Sequence, residues 1–425
     1  MSSQRTFFTL LARSLLARSL LIAVLLMSSL PASAATISNT GDGNPGLTAP
    51  VLTGIDVLQR ENFSQIEGQR IGLITNHTGV NRDGVSTTRV LYQSESTQLV
   101  ALFSPEHGLF GKLDTELIAD SRDTESGVKV HSLYGTTRVP TREMLSDIDT
   151  LVFDIQDIGT RFYTYITTMG EAMKAAAKYG VKFVVLDRPN PINGITVSGP
   201  VLDEGKRSFV GFHQLPVRHG MTVGELARLF KAELHLDLDL EIIAMEGWQR
   251  TDYFDQTGLQ WINPSPNMRN LNEAILYPGI GLLETTNLSV GRGTDTPFEW
   301  IGAPWIDGPE LVQALNLLKL PGITFQAVQF TPDASKFEGE LCSGVSFTIS
   351  QRQQFDSVRT GLEIAVQLRR LYPEQWQVDD YARLLGNQQV LDAVKNGSTF
   401  TQIESMYSAD LKAFIARRQD YLIYP

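Results

Sequence analysis

Four short, unbroken apolar runs in the N-terminal half constrain the fold of this chain more than any other feature. Each run is rich in Val, Ile, Leu and Phe, and helical patterns separate the runs from one another. The runs are 70–75 (RIGLIT), 98–103 (QLVALF), 150–155 (TLVFDI) and 182–186 (KFVVL). Continuous hydrophobicity, as opposed to alternation, is typical of strands that are buried on both faces of a parallel sheet.

Helical segments with recognisable ends accompany these runs. Residues 165–179 have a helical composition and are followed by Gly180, a residue type common just beyond a helix C-terminus. Thr222, with Glu225 three residues later, forms a capping box that opens another helix. A further strand is predicted at 240–245. The alternation of strands and helices predicts an α/β fold with an open parallel sheet and right-handed crossovers.

The C-terminal part has a different pattern, with fewer strands and longer helices. We predict helices at 309–318, 355–371 and 401–418, and strands at 324–330 and 344–350. Pro264, Pro266 and Pro278 interrupt the pattern between the two parts. We therefore predict a first, catalytic domain over 51–270 and a smaller α/β domain over 271–425.

The N-terminal residues have the pattern of a secretory signal peptide. Three arginines and no acidic residue precede a short apolar run at 20–27, and a small-residue cleavage site ends at Ala34. The run is shorter than the roughly 20 residues of a membrane-spanning helix, so no stable membrane anchor is expected. We predict a signal peptide over 1–34, a flexible leader over 35–50, and a periplasmic or secreted protein.

The charge of the chain argues against a nucleic-acid partner. The formal net charge is −11, and the sequence contains no basic run. Nucleic-acid binding depends on clustered Lys and Arg, so no such partner is predicted.

Polar side chains follow each of the four apolar runs. Those that we single out as candidate site residues are Asn76, Glu106, His107, Asp154, Gln156, Arg188 and Asn190. Because ligands bind beyond the carboxyl ends of strands in open α/β sheets, we expect these groups to converge on one crevice. Each group alone has a simpler explanation as a turn or cap residue. The coincidence of four such strand ends favours a site.

Glu106 is the candidate general acid. It follows a buried strand, and burial raises the pKa of a carboxyl group, as the acid of a glycosidase requires. The alternative is a structural carboxylate paired with His107 or with an arginine.

A second polar stretch, 277–304, is rich in glycine and forms the other predicted wall of the site. Its candidate residues are Glu284, Asn287, Arg292 and Glu299. A loop with this composition rarely serves packing alone. Trp300 and Trp305, at its end, are candidates for a sugar-binding platform or for interdomain core.

No cofactor is predicted. The first strand is not followed by G-x-G-x-x-G, which disfavours a nicotinamide cofactor, and no G-x-S-x-G elbow is present. A metal site could use His77, Glu106, His107 and Asp154, but no two of these have zincin-like spacing, so a metal is the minor alternative.

Four motifs resemble the exo-β-N-acetylmuramidase family. They are FSPEHG, DIQDIGTRFYTYI, LDRPNPING and YPGIGLLETTNLSVGRGTDTPFEWIGAPW. The resemblance extends from about Gly54 to the C-terminus. It implies a Rossmann-like N-terminal domain, a smaller α/β C-terminal domain and an active site in the cleft between them. It also implies release of terminal N-acetylmuramic acid from the non-reducing end of peptidoglycan fragments, with Glu106 of the PEHG motif in catalysis.

Glycosidases pair two carboxyl groups across the scissile bond. With Glu106 as the acid, the second group could be Asp154, Asp187 or Glu284. We prefer Glu284, because it comes from the opposite wall.

The substrate implied by the resemblance carries a lactyl carboxylate that N-acetylglucosamine lacks. An arginine fork suits this group, and Arg188 and Arg292 are the candidates. The expected partners are peptidoglycan-derived muropeptides or disaccharides. The alternative functions are a non-catalytic protein that binds cell-wall sugars and a metal-dependent hydrolase.

Overall fold

In the part of the chain that this computed structural model describes, the strands form three separate sheets. In chain order the strands are β1 (Arg70–Thr75), β2 (Gln98–Ser104), β3 (Ser121–Arg122), β4 (Lys129–Ser132), β5 (Thr150–Asp154), β6 (Lys182–Leu186), β7 (Ser198–Val201), β8 (Pro216–Arg218), β9 (Leu240–Ile243), β10 (Trp300–Ala303), β11 (Ile323–Phe330) and β12 (Cys342–Ile349). The structure describes residues 51–113, 115 and 118–425. The signal peptide and leader predicted over 1–34 and 35–50 therefore lie outside the described residues.

The largest sheet lies in the N-terminal half and has seven strands in the order β3-β4-β2-β1-β5-β6-β9. All neighbours pair in parallel except β3 with β4. The strands predicted from the apolar runs are β1, β2, β5 and β6, and all are buried along most of their length. The predicted open α/β sheet is confirmed.

The helices cover this sheet and form most of the C-terminal half. They are α1 (Gly54–Arg60), α2 (Thr87–Gln93), α3 (Arg142–Leu145), α4 (Tyr165–Tyr179), α5 (Val223–Glu233), α6 (Leu271–Ile280), α7 (Gly308–Leu317), α8 (Ser357–Leu371), α9 (Ala382–Leu385), α10 (Gln388–Lys395) and α11 (Phe400–Arg417). The predicted capping box opens α5: Thr222 Oγ1 accepts from Glu225 N at 3.2 Å, and Glu225 Oε2 accepts from Thr222 N at 3.0 Å. Gly180 ends α4 with φ 71°, as predicted.

In the C-terminal half, α6, α7 and α8 pack with an antiparallel sheet of order β10-β12-β11. The elements predicted here, α7, α8, α11, β11 and β12, are confirmed to within two residues at their ends. Helices α6 and α8 cross closely at Gly279 and Gly361. A Cβ atom added to Gly361 would lie only 2.4 Å from Gly279 O. One hydrophobic core cluster extends from the large sheet into these helices.

The last residues of the chain return to the N-terminal sheet. Tyr424 Oη donates to Asp187 Oδ2 at 2.6 Å and accepts from Met245 N at 2.9 Å. Ile423 N donates to Glu225 Oε1 at 2.9 Å. The C-terminus thus supplies partners to two buried acids of the N-terminal half.

The fully buried guanidinium of Arg161 joins the two halves. Nη1 donates to Pro200 O and Leu215 O, both at 3.0 Å. Nη2 donates to Leu384 O and Leu385 O, both at 2.7 Å. Burial lowers the pKa of Arg161 to about 9. Because the last two carbonyls end α9, the guanidinium caps that helix.

We predict that Arg161→Met destabilises the protein by at least about 3 kcal/mol, because four core carbonyls lose their partner. Urea unfolding measures the loss. Arg228→Met is the control, since Arg228 is exposed and bonds one carbonyl, Leu422 O, at 3.1 Å. Equal, small losses in both variants would contradict the role of Arg161.

Candidate active site

A cavity of about 840 Å³ lies between the two halves of the described chain. From the N-terminal half, the PEHG turn after β2 and residues 162–165 at the start of α4 line it. From the C-terminal half, residues within 277–298, the segment 379–386 and Lys336 line it. The volume is within the usual range of small-molecule sites.

Glu106 lies on this cavity in the turn after β2, where it is half-buried. Its Oε2 accepts a hydrogen bond from Thr164 Oγ1, which lies directly before α4. His107 and Gly108 have φ of 70° and 73°, so the chain turns in the left-handed region directly after Glu106. A left-handed histidine is uncommon, and such strain is frequent at functional sites.

His107 also lines the cavity, and its tautomer is set by a backbone carbonyl. Its Nδ1 lies 2.8 Å from Leu113 O. Because a carbonyl can only accept, Nδ1 carries the proton, and in the neutral ring Nε2 is an acceptor. His107 is therefore suited to accept a hydrogen bond from a sugar hydroxyl.

Glu284, from the C-terminal half, also lines the cavity, directly after a short 3₁₀ turn at Gly281–Leu283. Arg292, eight residues later, donates from Nη1 to Glu284 Oε1 at 2.5 Å. Lys336 Nζ donates to the backbone carbonyl of Glu284. Glu106, His107, Glu284 and Arg292 are the predicted site residues that the structure brings to this cavity.

Aromatic side chains that sequence reasoning missed also line the cavity. They are Phe162, Tyr163, Tyr165, Tyr277 and Phe298. Tyr163 packs edge-on against Tyr165 with ring centroids 5.0 Å apart, and Tyr277 against Phe298 at 4.7 Å. Burial raises the pKa of both Tyr163 and Tyr277, so their phenols remain protonated. The available signal was the aromatic run FYTY after a strand end and directly before a helix.

The tryptophans that we considered as a sugar platform lie elsewhere. Trp300 packs on Phe330 with ring centroids 5.5 Å apart, and Trp305 packs on Tyr372 at 5.4 Å. Neither lines the cavity. Trp305 packs against the main core cluster, which agrees with the alternative hypothesis that the tryptophans belong to the interdomain core.

Asp154 and Arg188, two of the expected site residues, do not line the cavity. Arg188 donates to Asp154 from Nε at 2.5 Å and from Nη2 at 2.9 Å. Thr87 Oγ1 donates to the same carboxylate, and Arg188 Nη2 also donates to Val80 O at 2.8 Å. Asp154 is fully buried and Arg188 is 5% exposed. These bonds commit both groups to a buried ion pair between the ends of β5 and β6.

Asp187, the other alternative for the second carboxyl group, is also fully buried and away from the cavity. Its carboxylate accepts from Gly224 N at 2.8 Å and from Thr222 Oγ1 at 2.7 Å, at the start of α5. Burial raises the pKa of Asp187 to about 6. The residue therefore joins β6 to the N-terminus of α5.

Asn76, Gln156 and Asn190 lie in the loops after β1, β5 and β6, but none of them lines the cavity. Asn76 and Asn190 each accept from the backbone amide two residues later, at 2.9 and 3.1 Å. Gln156 Nε2 donates to two loop carbonyls, at 2.7 and 2.8 Å. These bonds hold the loops, and contact of the three amides with substrate stays a prediction.

Asn287 and Glu299, from the second polar stretch, are also outside the lining of the cavity. Asn287 bonds the backbone of Gln375 and Gln377, each at 2.8 Å. Glu299 Oε1 accepts from Asn270 Nδ2 at 3.2 Å, beside the start of α6. Both residues fix this stretch to neighbouring segments, and their expected contact with substrate stays a prediction.

The residues considered for a metal site do not form a ligand set. His77 Nε2 bonds Asn263 O at 2.7 Å, and Asp154 is held by Arg188. Among residues 51–113, 115 and 118–425, no group of three or more His, Cys, Asp or Glu side chains could hold a metal ion. A search of the same residues finds no helix with the length and apolar character needed to cross a membrane.

Comparison with known proteins identifies relatives over most of the chain. The N-terminal model of the exo-beta-N-acetylmuramidase NamZ family matches residues 71–272, and its C-terminal model matches 275–424. The peptidoglycan beta-N-acetylmuramidase NamZ of Bacillus subtilis (strain 168) is 46% identical over 378 residues, which are 88% of this chain and 91% of that protein.

Two crystal structures of DUF1343 family proteins from Bacteroides fragilis NCTC 9343 have the same fold. One has a TM-score of 0.83 and 36% identity, and the other has 0.71 and 28%. Each comparison covers 88% of this chain and 99% of the other. The shared fold therefore includes both the sheet and the C-terminal half.

We predict that Asp154→Asn destabilises the protein by about 3–5 kcal/mol, because it leaves the buried Arg188 without a counter-charge. Turnover of the remaining folded protein stays within a few-fold of wild type. Urea unfolding and activity per folded molecule test both statements. As a control, Asp154→Leu combined with Arg188→Met recovers part of the stability, because both charges are removed. Loss of turnover without loss of stability would instead indicate that Asp154 takes part in the reaction.

Proposed function

This chain belongs to the exo-β-N-acetylmuramidase NamZ family, and we propose that Glu106 and Glu284 are the carboxyl groups of its catalysis. It is a glycoside hydrolase that acts from the non-reducing end of peptidoglycan fragments and releases terminal N-acetylmuramic acid. Disaccharides and muropeptides derived from peptidoglycan are the proposed substrates, in cell-wall turnover.

The observation that carries the catalytic assignment is the presence of two carboxyl groups, one from each half of the chain, on the lining of one cavity. Glu106 comes from the turn after β2, and Glu284 comes from the C-terminal half. A pair of carboxyl groups that flank the scissile bond is the arrangement glycosidases use. The aromatic rings on the same lining offer apolar surface for the C–H faces of the sugar.

Each carboxyl group has a distinct role in the proposed reaction. Glu106 donates a proton to the glycosidic oxygen as the bond to the anomeric carbon breaks. Glu284, as the ion-pair partner of Arg292, acts as a carboxylate and stabilises the positive charge that develops on the sugar ring. Water then forms a bond to the anomeric carbon and gives one proton to the Glu106 carboxylate, which restores the acid. Nε2 of His107 accepts a hydrogen bond from a sugar hydroxyl and orients the ring.

We predict that Glu106→Gln lowers turnover of an N-acetylmuramic acid–N-acetylglucosamine disaccharide on the order of a hundredfold or more. The amide can still accept from Thr164 Oγ1 but cannot supply the proton, so the thermal midpoint stays near that of wild type. Release of N-acetylmuramic acid, quantified by chromatography, is the readout.

Two controls accompany this measurement. Glu171→Gln alters a carboxylate on α4 that pairs with Lys174 outside the cavity, and should leave turnover unchanged. Exhaustive chelation should also leave wild-type activity intact. Turnover of Glu106→Gln within a few-fold of wild type would exclude the acid role, and loss on chelation with recovery on zinc would favour a metal-dependent hydrolase.

We also propose that the protein is exported to the periplasm or secreted. The support is the sequence of the predicted signal peptide, with its arginines, its apolar run and the cleavage site that ends at Ala34. The expected result is a mature N-terminus near Ala35 in the exported fraction of cells that express the full chain, read by N-terminal sequencing. Protein that is confined to the cytoplasm and keeps the signal peptide intact would contradict the proposal.

A further inference from the structure

The loop between β11 and β12 carries Lys336 into the cavity. Lys336 is half-buried there, and its Nζ donates to the backbone carbonyl of Glu284. An ammonium group carries three N–H donors, and this bond uses one of them. The group therefore has donors to offer to a ligand.

The backbone around Lys336 holds the side chain in place. Ser335 and Phe337, its two neighbours, have φ of 70° and 61°, a region that non-glycine residues seldom occupy. The loop is fixed to the turn that contains Arg292, because Asp333 N donates to Gly293 O at 2.7 Å. Strain of this kind persists only where the surroundings impose it, and it is concentrated at functional sites.

The other cations of the cavity are less suited to bind an anion. Arg292 is paired with Glu284. Lys206 and Arg383 line the cavity but are exposed, so water screens their charge. Lys336 combines partial burial with a position beside a carboxylate that already has its own counter-charge.

The charges around Lys336 are of both signs. Arg292 offsets Glu284, and Asp379 and Asp380 also line this part of the cavity, with Asp379 paired with Lys395. Burial lowers the pKa of Lys336, while the carboxylates of Glu284 and Asp380 oppose that shift. A partly desolvated ammonium gains more from an anionic partner than an exposed one does.

We propose that Lys336 is the carboxylate-binding group of the cavity and pairs with the lactyl carboxylate of N-acetylmuramic acid. This inference rests on the proposed function and names the residue that selects the substrate. It replaces the hypothesis that Arg188 or Arg292 binds the lactyl group, since Arg188 is held by Asp154 and Arg292 by Glu284.

The test compares kcat/KM for β-glycosides of N-acetylmuramic acid and N-acetylglucosamine that carry the same leaving group. Lys336→Met should lower kcat/KM for the first about ten- to hundredfold and leave the second unchanged, because only the first has the carboxylate. Lys336→Arg should restore part of the preference. Lys412→Met, on the exposed side of α11, is the control of equal charge change and should keep the wild-type ratio.

The outcomes separate this inference from the proposed function. If wild type hydrolyses neither glycoside, the proposed function fails. If wild type prefers the muramic glycoside and Lys336→Met keeps that ratio, or lowers both values equally, the lactyl role of Lys336 is overturned. Should the Met variant fold poorly, calorimetric binding of the two free sugars to Glu106→Gln, with and without Lys336→Gln, decides the same question. Equal loss of affinity for both sugars would overturn the inference.

Discussion

The cavity depends on the four hydrogen bonds that the buried guanidinium of Arg161 donates to carbonyls of both halves. A buried charged group is tolerated only when its donors are satisfied, so the segments that supply these carbonyls cannot separate without a large free-energy cost. Residues 162–165 follow Arg161 directly, and 379–386 include the helix that it caps. The two walls are therefore held at a fixed separation, which is the preorganisation that binding and catalysis require.

Much of the fold could be predicted from the sequence, because hydrophobic periodicity reflects burial. Strands buried on both faces must be apolar throughout, so β1, β2, β5 and β6 could be predicted from their apolar runs. Helix ends such as Gly180 and the Thr222 box follow from local backbone chemistry and were equally readable. The edge strand β3 was missed because it has only two residues, both exposed, and its neighbour β4 was missed because it has only four residues, most of them polar. Segments this short give no continuous apolar run.

The candidate site was less predictable. A polar residue at a strand end can face a cavity or be paired with another side chain, and the local sequence does not distinguish the two situations. Glu106 and Asp154 both follow buried strands. Only the fold brings Arg188 to Asp154 and leaves Glu106 on the cavity. The second wall was partly predicted through Glu284 and Arg292. Lys336 was not predicted, because its place in the cavity depends on the bond of its Nζ to Glu284 O, a contact between residues distant in sequence.

The contacts of residues 423–424 with the N-terminal sheet make the first half depend on a segment far along the chain. Asp187 and Glu225, buried in the first half, receive hydrogen bonds from Tyr424 and Ile423. A fragment without these two residues leaves both acids without those partners. The segment 379–386, which lines the cavity together with Glu106, is also distant from it in sequence. An N-terminal fragment that ends before residue 379 therefore contains neither the whole lining of the cavity nor all the partners of its own buried acids.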